Sequence, residues 1–254
     1  MCRHLAYLGP PRSLHSLVYG PPHSLEHQSY EPKMNIGNLL NADGFGVGWY
    51  TGDRVLRYRR AQPIWTDVSF AELSEVLQSS CVVASVRSAT VGFPVDESCA
   101  QPFRCERWLF SHNGKVEGFG AVEAKLRELA GDLSVVPEAR APVDSALLFA
   151  RAMRSWRGGR SLGEGLADTV LSVAAIAPGR YNLLASDGSA LAATTWGDSL
   201  FVRSAVSIQG ANPPADHAVV IASEPYDDSP AWQRVPDRSL VVADRQGIAI
   251  HPLR

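Results

Sequence analysis

Two antiparallel sheets covered by helices, an α+β architecture, follow from three features of this sequence. Short segments rich in β-branched, aromatic and aliphatic residues recur along most of the chain and are separated by turn signals. The middle of the chain changes to helical spacing, from about Asp144 to Leu171. No internal repeat and no long linker divides the 254 residues, so a single domain over residues 1–254 is expected.

The elements read in order as follows. Pro10-Pro11 and Pro21-Pro22 mark rigid loops near the start, since proline offers no backbone donor. From Asp43 to Tyr50, Gly44, Gly46 and Gly48 alternate with large apolar residues, which predicts a strand pressed on one face against another backbone or a ligand. Thr51-Gly52-Asp53-Arg54 reads as a hairpin turn into a second strand at Val55 to Tyr58. Phe70, Leu73, Val76 and Leu77 have the spacing of one helical face. A strand follows at Cys81 to Val86, another runs from Trp108 into an Asn113-Gly114 turn, and Val122 to Leu129 returns to helix. Pro142 precedes a helix from Asp144 to Trp156, and a shorter helical pattern covers Leu162 to Leu171. Strands are then expected at Val170 to Ala177, Tyr181 to Ser186, Leu191 to Thr195, Leu200 to Ser204, Ala218 to Ser223, Leu240 to Asp244 and Ile248 to Pro252. Asn212-Pro213-Pro214 is too short to link two domains.

Composition narrows the function classes. Lys and Arg number 24 against 26 Asp and Glu, so the basic excess that nucleic acid or an anionic membrane surface calls for is absent. Apolar stretches such as Leu171 to Ala177 fall far short of the roughly 20 residues that span a bilayer, and no apolar signal core follows the start. Cys2, Cys81, Cys99 and Cys105 form no CxxC pair and no zinc-spaced cluster with histidine, so neither a metal site nor a disulfide framework is expected. A reduced, cytoplasmic protein with a small-molecule substrate is the expectation.

Four islands carry chemistry. Cys2 follows Met1, and removal of Met1 would leave a thiol beside a free α-amine whose reference pKa of about 8 suits it as a base. A buried, inert thiol is the local alternative. Asn113 and Gly114 offer a side-chain amide and a backbone N–H to an oxyanion, although Asn-Gly is also an ordinary hairpin turn. Arg87, just past an apolar strand, presents a planar fork to a carboxylate or forms a surface ion pair. Asp144 either pairs with a substrate ammonium or caps the helix that it begins. Among the histidines, His112 is placed to orient Asn113.

Taken in order, Cys2, Asp43-Gly44-Phe45-Gly46-Val47-Gly48-Trp49, Arg87, Phe110-Ser111-His112-Asn113-Gly114 and Asp144-Ser145 resemble the motifs of the class II glutamine amidotransferases, which are N-terminal-nucleophile hydrolases. Gln28-Ser29-Tyr30-Glu31-Pro32 and Ala222-Ser223-Glu224-Pro225-Tyr226-Asp227 extend the likeness, which is strongest to the γ-glutamyl hydrolases of ergothioneine biosynthesis. The resemblance implies a four-layer αββα sandwich with the nucleophile at the end of the first strand, and no cofactor. It implies Cys2 as nucleophile with its α-amine as base, Asn113 and Gly114 as oxyanion hole, and Arg87 and Asp144 as anchors of the glutamyl carboxylate and ammonium. Position 146, often acidic in the family, is Ala146, which removes a second acidic contact. No fused synthase domain follows, so a stand-alone hydrolase of γ-glutamyl-hercynylcysteine S-oxide is expected. A glutaminase-like subunit passing ammonia to a partner and a catalytically silent γ-glutamyl-binding protein are the alternatives. Trp49, Tyr50 and Tyr226 are candidate contacts for a quaternary ammonium on the departing amine.

Overall fold

The computed structural model describes residues 2–34, 40–205 and 217–254, so Met1 and Asn212-Pro213-Pro214 lie outside the described residues. The first half of the chain supplies strands β1 (Arg3–Ser13), β2 (Phe45–Thr51), β3 (Arg54–Arg60), β4 (Gln78–Val86), β5 (Phe103–Cys105) and β6 (Trp108–Val116). The second half supplies β7 (Gly179–Ser186), β8 (Leu191–Thr195), β9 (Phe201–Ala205), β10 (Ala218–Ala222), β11 (Gln233–Arg234), β12 (Ser239–Ala243) and β13 (Ile248–Pro252). They form two antiparallel sheets, ordered β11-β9-β10-β1-β4-β2-β3 and β13-β12-β8-β7-β6-β5.

Period-two alternation decides which residues face which layer. Leu5 and Tyr7 of β1 pack outward with Phe45, Val47, Val82 and Ala84 beneath α1 (Leu14–Val18), α2 (Leu25–Gln28) and α3 (Val68–Val76). Their neighbours Ala6 and Leu8 pack inward with Cys81 and Val83 against Leu109, Leu184 and Ala193 of the second sheet. The outer face of that sheet, including Phe103, Phe110 and Leu183, is covered by α4 (Phe119–Ala130), α5 (Asp144–Arg157) and α6 (Leu162–Ala174). Three apolar interfaces therefore separate four layers, αββα, as expected. No helix among the described residues is long and apolar enough to cross a membrane.

The glycine-alternating segment behaves as its sequence implies. A Cβ at Gly46 would meet the Gln101 carbonyl, and one at Gly48 would sit 2.7 Å from the Leu109 side chain, so the two sheets approach through these positions. Several other expectations are corrected. Pro10-Pro11 is no loop: it lies within β1, where the register to β4 shifts between Leu8 and Arg12 and leaves no ladder donor needed. The spacing of Phe70, Leu73, Val76 and Leu77 also misleads at α3, where Phe70 and Ser74 are buried, while Leu73 and Val76 are 51% and 75% exposed. Stacking of Phe70 on Tyr58, 4.5 Å between centroids, sets the buried face. The strand expected at Val170 to Ala177 is the end of α6 and the turn after it. A capping box between Ser161 and Glu164 starts that helix, and Leu162, Leu166, Val170 and Val173 form its buried stripe.

Candidate active site

Antiparallel register assembles the site from distant parts of the chain. Arg3 pairs with Val86, so one step further Cys2 stands across from Arg87. Arg87 in turn donates its backbone N–H to the Gly44 carbonyl at 2.7 Å, which holds the end of β4 against the approach to β2. Cys2 thus stands at the N-terminal end of β1, immediately before Arg3. Its Sγ lies 3.9 Å from the Ser88 carbonyl, and the residue is partly exposed.

Asn113 and Gly114 are corrected from a turn to mid-strand. They pair with Asn182 and Tyr181 inside the β6–β7 ladder, which continues to Val116. Glycine is required at 114: its φ is 153°, and a Cβ there would fall on the Arg180 carbonyl. The Asn113 side chain is completely buried, and neither its Nδ2 nor its Oδ1 has a hydrogen-bond partner. Ser111, two residues earlier and on the same face of β6, reaches across to His4 Nδ1 at 3.2 Å. His4 is likewise two residues from Cys2, so alternation turns Asn113 and Cys2 towards the same space between the sheets.

Asp144 begins α5 and joins it to β6. Its Oδ2 accepts the Val116 N–H at 2.8 Å, and its Oδ1 accepts the Ser145 N–H at 2.7 Å. The cap position belongs to Val143; Asp144 Oδ1 also accepts the Ser145 hydroxyl at 3.3 Å, so Oδ2 is the oxygen that keeps a lone pair for a further donor. His112 does not touch Asn113, contrary to expectation, because neighbouring strand residues point to opposite faces. Its Nε2 donates to the Arg180 carbonyl and its Nδ1 faces the Ser145 hydroxyl, both at 2.9 Å. The imidazole therefore locks the residue beside Asp144. Ala146 is buried in the core and adds no polar contact.

One narrow cavity is lined by Cys2, Arg87, Gly114 and Asp144 together with Thr90, Phe93, Gln101, His112 and Ser145. Arg87 is 5% exposed and donates to the carbonyls of Pro94 at 3.0 Å and Asp43 at 3.4 Å, so backbone oxygens fix its guanidinium. Among the described residues the surface ion pair that was the local alternative is not formed. Thr90, three residues after Arg87, and Ser145, next to Asp144, carry hydroxyls that nothing local marks as part of a site.

Trp49, Tyr50 and Tyr226 do not line this cavity. Trp49 lies in the core, Tyr50 donates to the carbonyls of Arg107 and Ser186, and Tyr226 stacks with Arg203. Two buried polar features escaped sequence reasoning. Glu224 pairs with Arg3 at 2.8 Å and His23 at 3.0 Å and accepts the N–H groups of Lys33 and Met34. Burial pushes its carboxyl up, but His23, Arg3 and those two donors hold it below the ordinary range. Burial, reinforced by His112 and Arg3, lowers the His4 imidazole to about 3. His4 is therefore neutral near pH 7 and far too weak a base to deprotonate a thiol. Among the described residues no group of three or more His, Cys, Asp or Glu side chains is arranged to hold a metal.

The geometry can be set beside known proteins. The glutamine amidotransferase class-II family matches residues 23–252. The chain is 42% identical to the γ-glutamyl-hercynylcysteine sulfoxide hydrolase of Mycolicibacterium smegmatis, with both chains fully covered. It is 40% identical to the protein of that name from Mycobacterium tuberculosis, over all of this chain and 97% of the other. A glutamine aminotransferase class-II domain protein from Silicibacter pomeroyi superposes over both full chains with a TM-score of 0.67 at 21% identity. The glutamine phosphoribosylpyrophosphate amidotransferase of B. subtilis superposes with a TM-score of 0.66 at 17% identity, over all of this chain and 49% of that one. These two likenesses concern the fold, whereas the full-length identities and the family match concern descent. By that descent the chain belongs to the class-II glutamine amidotransferase family.

Proposed function

We propose that this protein hydrolyses a γ-glutamyl amide through a thioester on Cys2, and that its substrate is γ-glutamyl-hercynylcysteine sulfoxide. The carrying observation is that Cys2, Arg87, Gly114 and Asp144, scattered over the sequence, line one cavity beside a buried Asn113 amide with no partner. Full-length relatives at 40% and 42% identity with that hydrolase name support the choice of substrate.

The glutamyl end enters with its α-carboxylate on the Arg87 fork and its α-ammonium on Asp144. Once Met1 is removed, the Cys2 α-amine takes the thiol proton and the thiolate attacks the γ-carbonyl carbon. Negative charge moves to the carbonyl oxygen, where Asn113 Nδ2 and Gly114 N–H meet it. Such donors contribute about 10² to 10³ each in turnover, because the charge exists only in the transition state. The C–N bond then breaks, the amine departs with the proton from the α-ammonium, and a γ-glutamyl thioester remains. Water attacks the thioester, its proton returns through the α-amine, and glutamate and the free thiol are regenerated. One amide and one water thus give one glutamate and one amine. The neutral, weakly basic His4 leaves the α-amine as the base. Four free thiols fit a reducing compartment, and we place the enzyme in the cytoplasm.

The test is incubation of the Met1-trimmed protein with the sulfoxide conjugate, with glutamate and amine quantified. Equal release of both by wild type and none by Cys2→Ala is expected. Turnover by Cys2→Ala, or full activity in protein that keeps Met1 by intact mass, would refute the mechanism. Equally efficient hydrolysis of free glutamine would favour an ammonia-supplying amidotransferase instead.

A further inference from the structure

Removal of Met1 makes Cys2 the first residue of the chain, and a chain end frays unless something ties it down. With the thiol as nucleophile and the α-amine as base, neither group can serve as the tether without losing reactivity. The carbonyl oxygen is the polar group left over. Arg3 Nη1 donates to it at 3.1 Å.

That donor is itself fixed. Arg3 Nε lies 2.8 Å from Glu224 Oε1, and both side chains are buried. Glu224 Oε1 also accepts the Met34 N–H at 3.0 Å, while Oε2 accepts the Lys33 N–H at 2.8 Å and lies 3.0 Å from His23 Nε2. Three groups besides Arg3 thus hold the carboxylate, which anchors one end of the Arg3 fork. The neighbouring residue repeats the grip: Ser223 donates its N–H to the His4 carbonyl at 2.9 Å, and its hydroxyl accepts the His4 N–H at 3.0 Å. Ser223 and Glu224 together clasp the two residues that follow Cys2.

The clasp lies behind the nucleophile. Alternation turns Arg3, like Leu5 and Tyr7, towards the outer face of the first sheet, whereas Cys2 and His4, like Ala6, face the space between the sheets. Neither Arg3 nor Glu224 lines the Cys2 cavity. A buried ion pair repays little beyond its own desolvation, which makes it a poor device for stability alone.

Resting on the γ-glutamyl hydrolase reading, we infer that Arg3, held by Glu224, is a positioning residue: it pins the Cys2 carbonyl and so aims the thiol and the α-amine at the γ-carbonyl carbon of the bound substrate. Arg87 and Asp144 hold the glutamyl group from other elements. The Arg3–Glu224 pair therefore acts on turnover and leaves binding alone.

Two variants test this. Arg3→Lys keeps a cation against Glu224 but loses the planar fork that spans carboxylate and carbonyl. Arg3→Met with Glu224→Gln removes both charges at once and keeps an acceptor for the Lys33 and Met34 N–H groups. In each Met1-trimmed variant, kcat for the sulfoxide substrate should fall about tenfold to a hundredfold, the size of one charge-assisted hydrogen bond, while KM and the inhibition constant of glutamate stay within about twofold. A folded variant whose kcat is within about twofold of wild type would overturn the assignment. So would a loss of kcat matched by an equal weakening of glutamate inhibition, or failure of both variants to fold, since either marks the pair as structural. These results leave the hydrolase reading intact. A wild type that does not hydrolyse the sulfoxide substrate would overturn that reading and the positioning role with it.

Discussion

Acidification from about pH 7 to about pH 5 should cost this protein roughly 2 kcal/mol through His4 alone. The imidazole is completely buried between the two sheets, and its pKa falls from 6.5 to about 3 because burial, then His112, then Arg3 disfavour its charged form. The folded value lies below the unfolded one, so the unfolded chain binds the proton first. His4 therefore leaves stability intact above about pH 6.5 and removes it progressively as the pH falls towards about 3. Each pKa unit is worth about 1.4 kcal/mol, and the unfolded state gains nearly one and a half such units over this interval. Urea unfolding followed by tryptophan fluorescence, run at both pH values on wild type and His4→Asn, isolates the effect. Asparagine keeps a polar group near the Ser111 hydroxyl but does not titrate. The wild-type loss should exceed the variant's loss by roughly 2 kcal/mol. Equal losses in the two proteins would refute the claim that His4 is buried neutral, and with it the exclusion of a Cys2–His4 dyad.

Two further outcomes follow from the site. Asn113→Ala should lower kcat by about 10² to 10³ while changing the thermal midpoint little, because the amide it removes is buried and unpartnered; activity within about twofold of wild type would move the oxyanion donor elsewhere. Arg87→Lys keeps the charge but loses the fork now fixed by the Pro94 and Asp43 carbonyls, and should raise KM for γ-glutamyl substrates about tenfold. An unchanged kcat/KM would show that the glutamyl carboxylate binds at another group.

Much of this molecule is written in short-range signals. Glycines at every second position before Trp49 announced a strand that another backbone must approach, and Gln101 and Leu109 occupy that face. The hairpin at Gly52-Asp53 and the helix from Asp144 were equally plain, since turn chemistry and helical spacing act within a few residues. Local signals failed where a competing long-range partner existed. Asn113-Gly114 has the chemistry of a turn, yet β7 supplies a ladder through both residues and the Arg180 carbonyl leaves no room for a side chain at 114. The apolar run after Leu171 suits a buried strand as well as a helix, and contact between α6, α5 and the second sheet settles it as helix.

The candidate residues divide along the same line. Residue type alone marks Cys2, Arg87 and Asp144 as chemically able, because thiol, guanidinium and carboxylate carry their reactivity wherever they stand. Their convergence is a property of register: Arg3 against Val86 sets Cys2 across from Arg87, and Val116 against the Asp144 carboxylate brings the start of α5 to the end of β6. Spacing along the chain is silent on such pairings. The unpartnered Asn113 amide and the Arg3–Glu224 ion pair arise in the same way, from what a folded neighbour supplies or fails to supply to a polar group.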